Sequence, residues 1–183
     1  MKNNVGNIVG NIVRIGGTDR AIPAALLAVA TLWCAILPAP PLLASAGHGI
    51  ASTLVRLFFA PLCHQIPERS FHLMGSPIAV CARCMGCYAG LIVGLVIATA
   101  APARFAVPPR ARWIAVAIAP AALQWGAARA GGPDGNLLRS LTGGAIGLVI
   151  AFFIVPAMVA LRAELRHRRG RRLIAGWSHA KAR

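Results

Sequence analysis

Apolar residues in this chain come in long blocks that no charge interrupts. Neutral stretches include Ala21 to Ser52, Cys84 to Ala103, Trp113 to Ala128 and Ser140 to Leu161. A helix needs roughly 20 such residues to cross the hydrocarbon core; two of these stretches exceed that length, one meets it, and Trp113 to Ala128 is short. The pattern predicts an all-α, polytopic integral membrane protein with four transmembrane helices. The first runs from about Ala21 to Leu37 and ends at Pro38, Pro40 and Pro41, because proline cannot continue a helix. The second starts near Val80, the third at Trp113 and the fourth near Leu141. Gly49 to Leu62 is apolar but carries Arg56 and is too short to cross, so it is expected as an interfacial or re-entrant helix. Trp113 and Trp177 fall where amphipathic rings favour the membrane interface.

Composition agrees with that pattern. Of 183 residues 57% are apolar, and nineteen Lys and Arg face only four acids; soluble domains of this size rarely look so. The domain reading is a basic cytoplasmic N-terminus over 1–20, a single transmembrane domain over 21–161 and a basic cytoplasmic tail over 162–183. The N-terminal segment resembles a signal peptide but lacks a clean cleavage pattern, and it is read as a retained anchor. Fourteen Lys and Arg collect on one side of a four-helix arrangement and five on the other, which puts both termini in the cytoplasm of a bacterial plasma membrane. The net charge of +15 and the basic run from Arg162 to Arg172 are read as an anchor for anionic lipid head groups, with no nucleic acid as partner.

Small residues spaced four apart allow helices to approach closely in lipid. Gly86, Gly90 and Gly94 on the second helix and Gly143 and Gly147 on the fourth form two such rows. Gly94-Leu-Val-Ile-Ala98 repeats as Gly147-Leu-Val-Ile-Ala151, and Pro23-Ala-Ala-Leu26 as Pro120-Ala-Ala-Leu123, a hint of parallel duplication. If the glycine rows meet, Asn136 and Arg139 come level with Cys81 and Arg83.

The chemistry is concentrated between Cys63 and Cys87, a stretch holding four of the five cysteines. Ionisable and metal-binding groups placed against spanning segments mark functional sites. Cys81 and Cys84 form C-x-x-C at the start of the second helix, where the helix dipole and Arg83 favour the thiolate. Cys63 and His64 arrive from the other end of the loop, and Cys63, His64, Cys81 and Cys84 together suit a tetrahedral zinc-like site. Neighbouring Cys and His side chains diverge, so one of that pair is expected outside the ligand shell. An oxidising outer face also allows disulfides, structural or exchanging. Ligand, redox thiol and structural bridge all stay open on spacing. Cys87 and Cys34 are read as packing residues, and His48 and His72 as solvated.

Gln65, Arg69, Arg83, Asn136 and Arg139 are candidate supporting or anion-binding residues. Arg69 and Arg83 flank the cysteines with fixed positive charge. Arg139 lies in the first turn of the fourth helix, whose positive end disfavours it, and so needs an acid, an anion or carbonyls. Asp134 and Gly135 read as a turn before Asn136, and Gln124 as a hydrogen-bonding residue inside the bundle.

The run Cys63-His64-Gln65-Ile66-Pro67-Glu68-Arg69-Ser70-Phe71, then Gly75, then Cys81-Ala82-Arg83-Cys84-Met85-Gly86-Cys87-Tyr88-Ala89-Gly90, resembles the signature of an uncharacterised family of prokaryotic predicted membrane proteins, a domain of unknown function. Asn136-Leu-Leu-Arg139 with Thr142-Gly143 also matches, and the resemblance covers about Phe58 to Gly147. It implies a small multi-spanning protein with no established activity. The chain departs from it at Gln124, where the family often has an acid, and at Cys87, a commonly aliphatic position.

Three functions follow as expectations. One is a membrane protein with an outward-facing zinc-like site. Another is a membrane thiol-disulfide oxidoreductase in which Cys81 and Cys84 exchange, Cys63 is the loop partner and a quinone is the cofactor. The last is a non-catalytic scaffold with structural disulfides. A small-molecule substrate is left open, and the metal reading is favoured because Cys63 and His64 sit together.

Overall fold

The computed structural model describes residues 20–101 and 110–181, with side chains up to residue 169. The expected cytoplasmic N-terminal segment with Lys2 and Arg14, the loop residue Arg104, and the side chains of the tail beyond 169, Trp177 included, lie outside these.

Helix α1 spans Ala21–Ile36. Its end at Leu37 is where the prolines were expected to act, but they do more than stop it. Pro40 and Pro41 lie in the first turn of a further helix, α2, Ala39–Ser45, and both are buried. A first-turn N–H has no helical acceptor, so proline loses nothing there. The apolar helical path therefore runs from Ala21 to Ser45, 25 residues.

Helix α3, Gly49–Phe59, turns back on α2, and its Ser52 hydroxyl donates to the Pro40 carbonyl at 2.9 Å. Its 11 residues give a length of about 16 Å, roughly half of what crossing requires. Beyond it comes a loop with local structure that periodicity did not forecast. A 3-10 turn, Pro67–Arg69, leads to a hairpin of β1, His72–Leu73, and β2, Ser76–Pro77, pairing antiparallel with Leu73 opposite Ser76. The two turn residues, Met74 and Gly75, both have positive φ, as the tightest hairpin turn requires.

Helix α4 spans Ala82–Ala100, α5 spans Arg112–Arg129 and α6 spans Asn136–Lys181, 46 residues. Helix α6 begins five residues before the expected start near Leu141. The polar residues of its first turn have partners, described below, so they need not be excluded from the helix. It also continues through the basic tail, where Ala, Leu, Glu and Arg favour helix and the Arg168 Nε donates to Glu164 at 2.6 Å.

The glycine rows do meet. A Cβ on Gly86 would strike the Ser140 carbonyl, one on Gly90 the Gly144 carbonyl, one on Gly143 the Arg83 carbonyl and one on Gly147 the Cys87 carbonyl. Partners advance together along both helices, so α4 and α6 run parallel in backbone contact. Helix α5 closes onto α6 through a short connection, with the Gly132 N–H on the Ala127 carbonyl at 2.8 Å and Gly131 at positive φ. That geometry satisfies the last carbonyls of α5 and reverses the chain.

Among the described residues three helices are long and apolar enough to span a membrane: Ala21–Ser45, Ala82–Ala100 and Asn136–Arg169. The fourth expected span, α5, falls short of that standard. It has Arg112 and Arg129 at its ends and Gln124 within, which dilute an otherwise alanine-rich sequence of 18 residues.

Candidate functional site

The start of α4 sits where three segments converge. The Ala79 N–H donates to the Leu37 carbonyl at 2.9 Å, tying the segment between β2 and α4 to the end of α1. Gln65, held at φ +49°, donates its amide to the carbonyls of Arg56 and Ala79, both at 2.8 Å. This clamp draws residues 63–65 against 79–81. The Gln65 side chain thus shapes the loop.

The consequence is a thiol cluster. The sulfurs of Cys63, Cys81 and Cys84 lie within 4.8 Å of one another, and Cys63 and Cys81 are buried. The Cys81 backbone N–H donates to the Cys63 Sγ at 3.2 Å, a contact that stabilises negative charge on that sulfur. The Cys81 thiol is held well below its usual range, at about 5, first by the hydrogen bond from the Cys84 side chain, with Cys63 and the nearby His64 adding to it against the opposing effect of burial. All five cysteines are free thiols. In a tetrahedral zinc thiolate centre with Zn–S near 2.3 Å, sulfurs are roughly 3.8 Å apart, so this trio needs little contraction to hold an ion.

His64 is not part of that trio. Its exposed ring faces a cavity of about 220 Å³ that Cys81 and Cys84 also line. Cys34 packs beside the cluster with Trp33, and Cys87 presents its carbonyl to Gly147. His48 and His72 are both exposed.

The remaining cavity wall is a chain of polar contacts joining α4, α5 and α6. The Arg83 guanidinium donates to the Gln124 carbonyl oxygen, the Gln124 amide donates to Asp134 at 2.7 Å, and Asp134 forms an ion pair with Arg139. Arg139 also donates to Asn136 at 2.9 Å, and the Asn136 amide reaches the Ser70 carbonyl at 3.0 Å. Arg139 has therefore found the acid that its place in a helix first turn demands, and Asn136 ties the loop to α6. Arg69 joins Arg83 and Arg139 on the cavity wall.

Sequence reasoning passed over Asp134 as a turn residue and did not single out Trp125 or Arg129, which both line the cavity, with the Arg129 guanidinium 4.0 Å from the Trp125 ring centre. Their spacing carried a signal. Gln124 and Ala128 are one turn apart on α5, as are Trp125 and Arg129, so the four share one face.

A helical protein with three membrane-length apolar helices and a largely buried thiol trio at one end of a glycine-seamed pair belongs to the class of small membrane proteins. Comparison with known proteins names the group. Residues 63–153 match the family described as "Predicted membrane protein (DUF2085)", in agreement with the resemblance read from the sequence. It is also similar to an uncharacterized protein of Methanocaldococcus jannaschii, 35% identical over 101 residues, which are 54% of this chain and 64% of that protein. The match thus spans less than two thirds of the archaeal relative's length. No solved structure matches the chain. The matched region begins at Cys63 and takes in the whole thiol cluster and the polar chain, while α1 to α3 lie outside it.

Proposed function

We propose that this protein is a membrane-embedded metal-binding protein in which Cys63, Cys81 and Cys84 hold a thiophilic divalent ion, zinc above all, with His64 beside it at the cavity. The observation that carries this reading is the convergence of three sulfurs within 4.8 Å from two segments that the chain must reverse to bring together. Three thiolates suit zinc, and the side facing the cavity leaves a fourth position for His64 or a bound molecule. In this reading α5 crosses as a fourth span, supported by its antiparallel packing on α6, and the distribution of arginines and lysines supports cytoplasmic termini in a plasma membrane. The site then faces outward.

The test is elemental analysis of the detergent-purified protein, with thiols counted before and after chelation. About one metal per chain is expected, with three thiols becoming reactive only after chelation. Cys63→Ser, Cys81→Ser and Cys84→Ser each remove the metal, Cys34→Ser leaves it in place, and His64→Ala lowers affinity about tenfold or more. A metal-free protein whose mass falls by the two hydrogens of a Cys81–Cys84 disulfide on oxidation would overturn the metal reading in favour of thiol exchange.

A further inference from the structure

The cavity beside the thiol trio has an imbalance of charge that the metal reading alone does not use. Four arginines line it, Arg69, Arg83, Arg129 and Arg139, against a single acid, Asp134. Guanidinium groups stay charged under all physiological conditions. Asp134 is committed to Arg139. A divalent ion on three thiolates adds one further negative charge, which leaves an excess of two positive charges around a cavity of about 220 Å³. One water needs about 10–15 Å³ of such space, so a polyatomic ion has room. Glu68, next to Arg69 in sequence, is exposed and is not part of the wall.

The arginines are also held in readiness. Arg139 is 8% exposed and fixed by Asp134 and Asn136. Arg83 is anchored at one terminal nitrogen by Gln124, while its Nε is buried with no hydrogen-bond partner among the described residues. Arg129 lies against the Trp125 ring, and Arg69 stands exposed on the 3-10 turn. One buried and one half-buried guanidinium group, both positioned, with two exposed ones beside them make a receptor for an anion with several acceptor oxygens.

We propose that this cavity binds a phosphate group, as free phosphate or as the phosphate of a monoester, opposite the metal-bound cysteines. The proposal rests on the metal assignment, since the thiolate-bound ion sets the residual charge at two. A phosphate monoester carries close to two negative charges near neutral pH and offers three acceptor oxygens. A monocarboxylate would neutralise only half of the excess. The ester can be soluble or can be a lipid head group reached from the bilayer, and both present the same chemistry to the arginines.

Zinc-loaded protein in detergent, titrated with inorganic phosphate and with glycerol phosphate by calorimetry, tests this, with chloride at equal ionic strength as the reference. Vesicles of phosphatidylcholine with and without phosphatidic acid form the second arm. Saturable binding is expected, weakened about tenfold in Arg69→Gln and in Arg129→Gln, as loss of one charge-assisted contact implies. Both residues are exposed, so the variants should fold and keep their metal, which elemental analysis verifies on the same samples. Binding of glycerol phosphate identifies a soluble ester, and arginine-dependent binding confined to phosphatidic acid vesicles identifies a lipid. Metal-loaded protein that takes up none of the probes below about 10 mM, or binds them equally well in both variants, overturns the phosphate site while leaving the metal assignment standing. Loss of metal from the wild-type protein would instead count against the metal assignment itself.

Discussion

Gln65 and Asp134 each hold two partners in this site, and the role of each is legible only through those partners. Gln65 sits at positive φ and its amide bonds two carbonyls from different segments. Gln65→Ala forfeits both bonds and is expected to cost about 2 kcal/mol. A lowered Tm and weaker zinc retention during dialysis against a chelator should both be seen, because the clamp sets the distance of Cys63 from Cys81. Asp134 is the counter-charge for an arginine that is nine-tenths buried, while its own side chain is 32% exposed. Removing one partner of a buried pair strands the other, here with some relief from water. Asp134→Asn is therefore expected to destabilise by on the order of 2 kcal/mol, and Asp134→Asn with Arg139→Gln to regain part of the lost Tm. At this scale the cysteines, His64, Arg83 and Arg139 could be picked out in the sequence as residue types in costly places. That Asp134 was needed by Arg139 could not, since a short turn containing Asp and Gly looks the same whether or not it feeds an ion pair.

The element that organises the site is the parallel pair α4 and α6. Its glycines bring Arg83 and Gly143 into backbone contact, and that places the cysteine-bearing turn of α4 level with the first turn of α6. Gly90→Ala puts a Cβ into the Gly144 carbonyl, a backbone atom that cannot rotate away, so the helices must part. Gly126 on α5 has nothing within 4 Å of such a Cβ, and alanine there should gain up to about 1 kcal/mol in helix propensity. Thermal unfolding in detergent is expected to show a fall for Gly90→Ala and no fall for Gly126→Ala. The glycine rows were visible as four-residue spacings, though only the structure shows that they meet. The path from α1 into α2 was not, because the same prolines that end one helix are well suited to begin the next. Helix α5 shows the opposite limit: its apolar run is too short and too dilute for composition to say whether it crosses.

For the molecule as a whole, the loops bearing Cys63–Cys84 and Asp134–Arg139 share one end of the bundle, since Asn136 bonds to Ser70 and Arg83 to Gln124. If that end faces outward, a membrane-impermeant maleimide added to intact cells after chelation should label Cys63, Cys81 and Cys84, and a cysteine placed in the tail at Ser178 should react only after lysis. Labelling of the tail in intact cells would invert the orientation. The membrane-length helices and the basic distribution come from sequence alone, because length, apolarity and charge are properties of contiguous segments and need no partner. The convergence of the three thiols without His64 and the four-arginine cavity come only with the tertiary structure. Their members lie on α4, α5, α6 and the loop before α4, and contacts between distant residues, such as the 3.0 Å bond from Asn136 to Ser70, are set by the glycine seam and the Gln65 clamp, which no local pattern encodes.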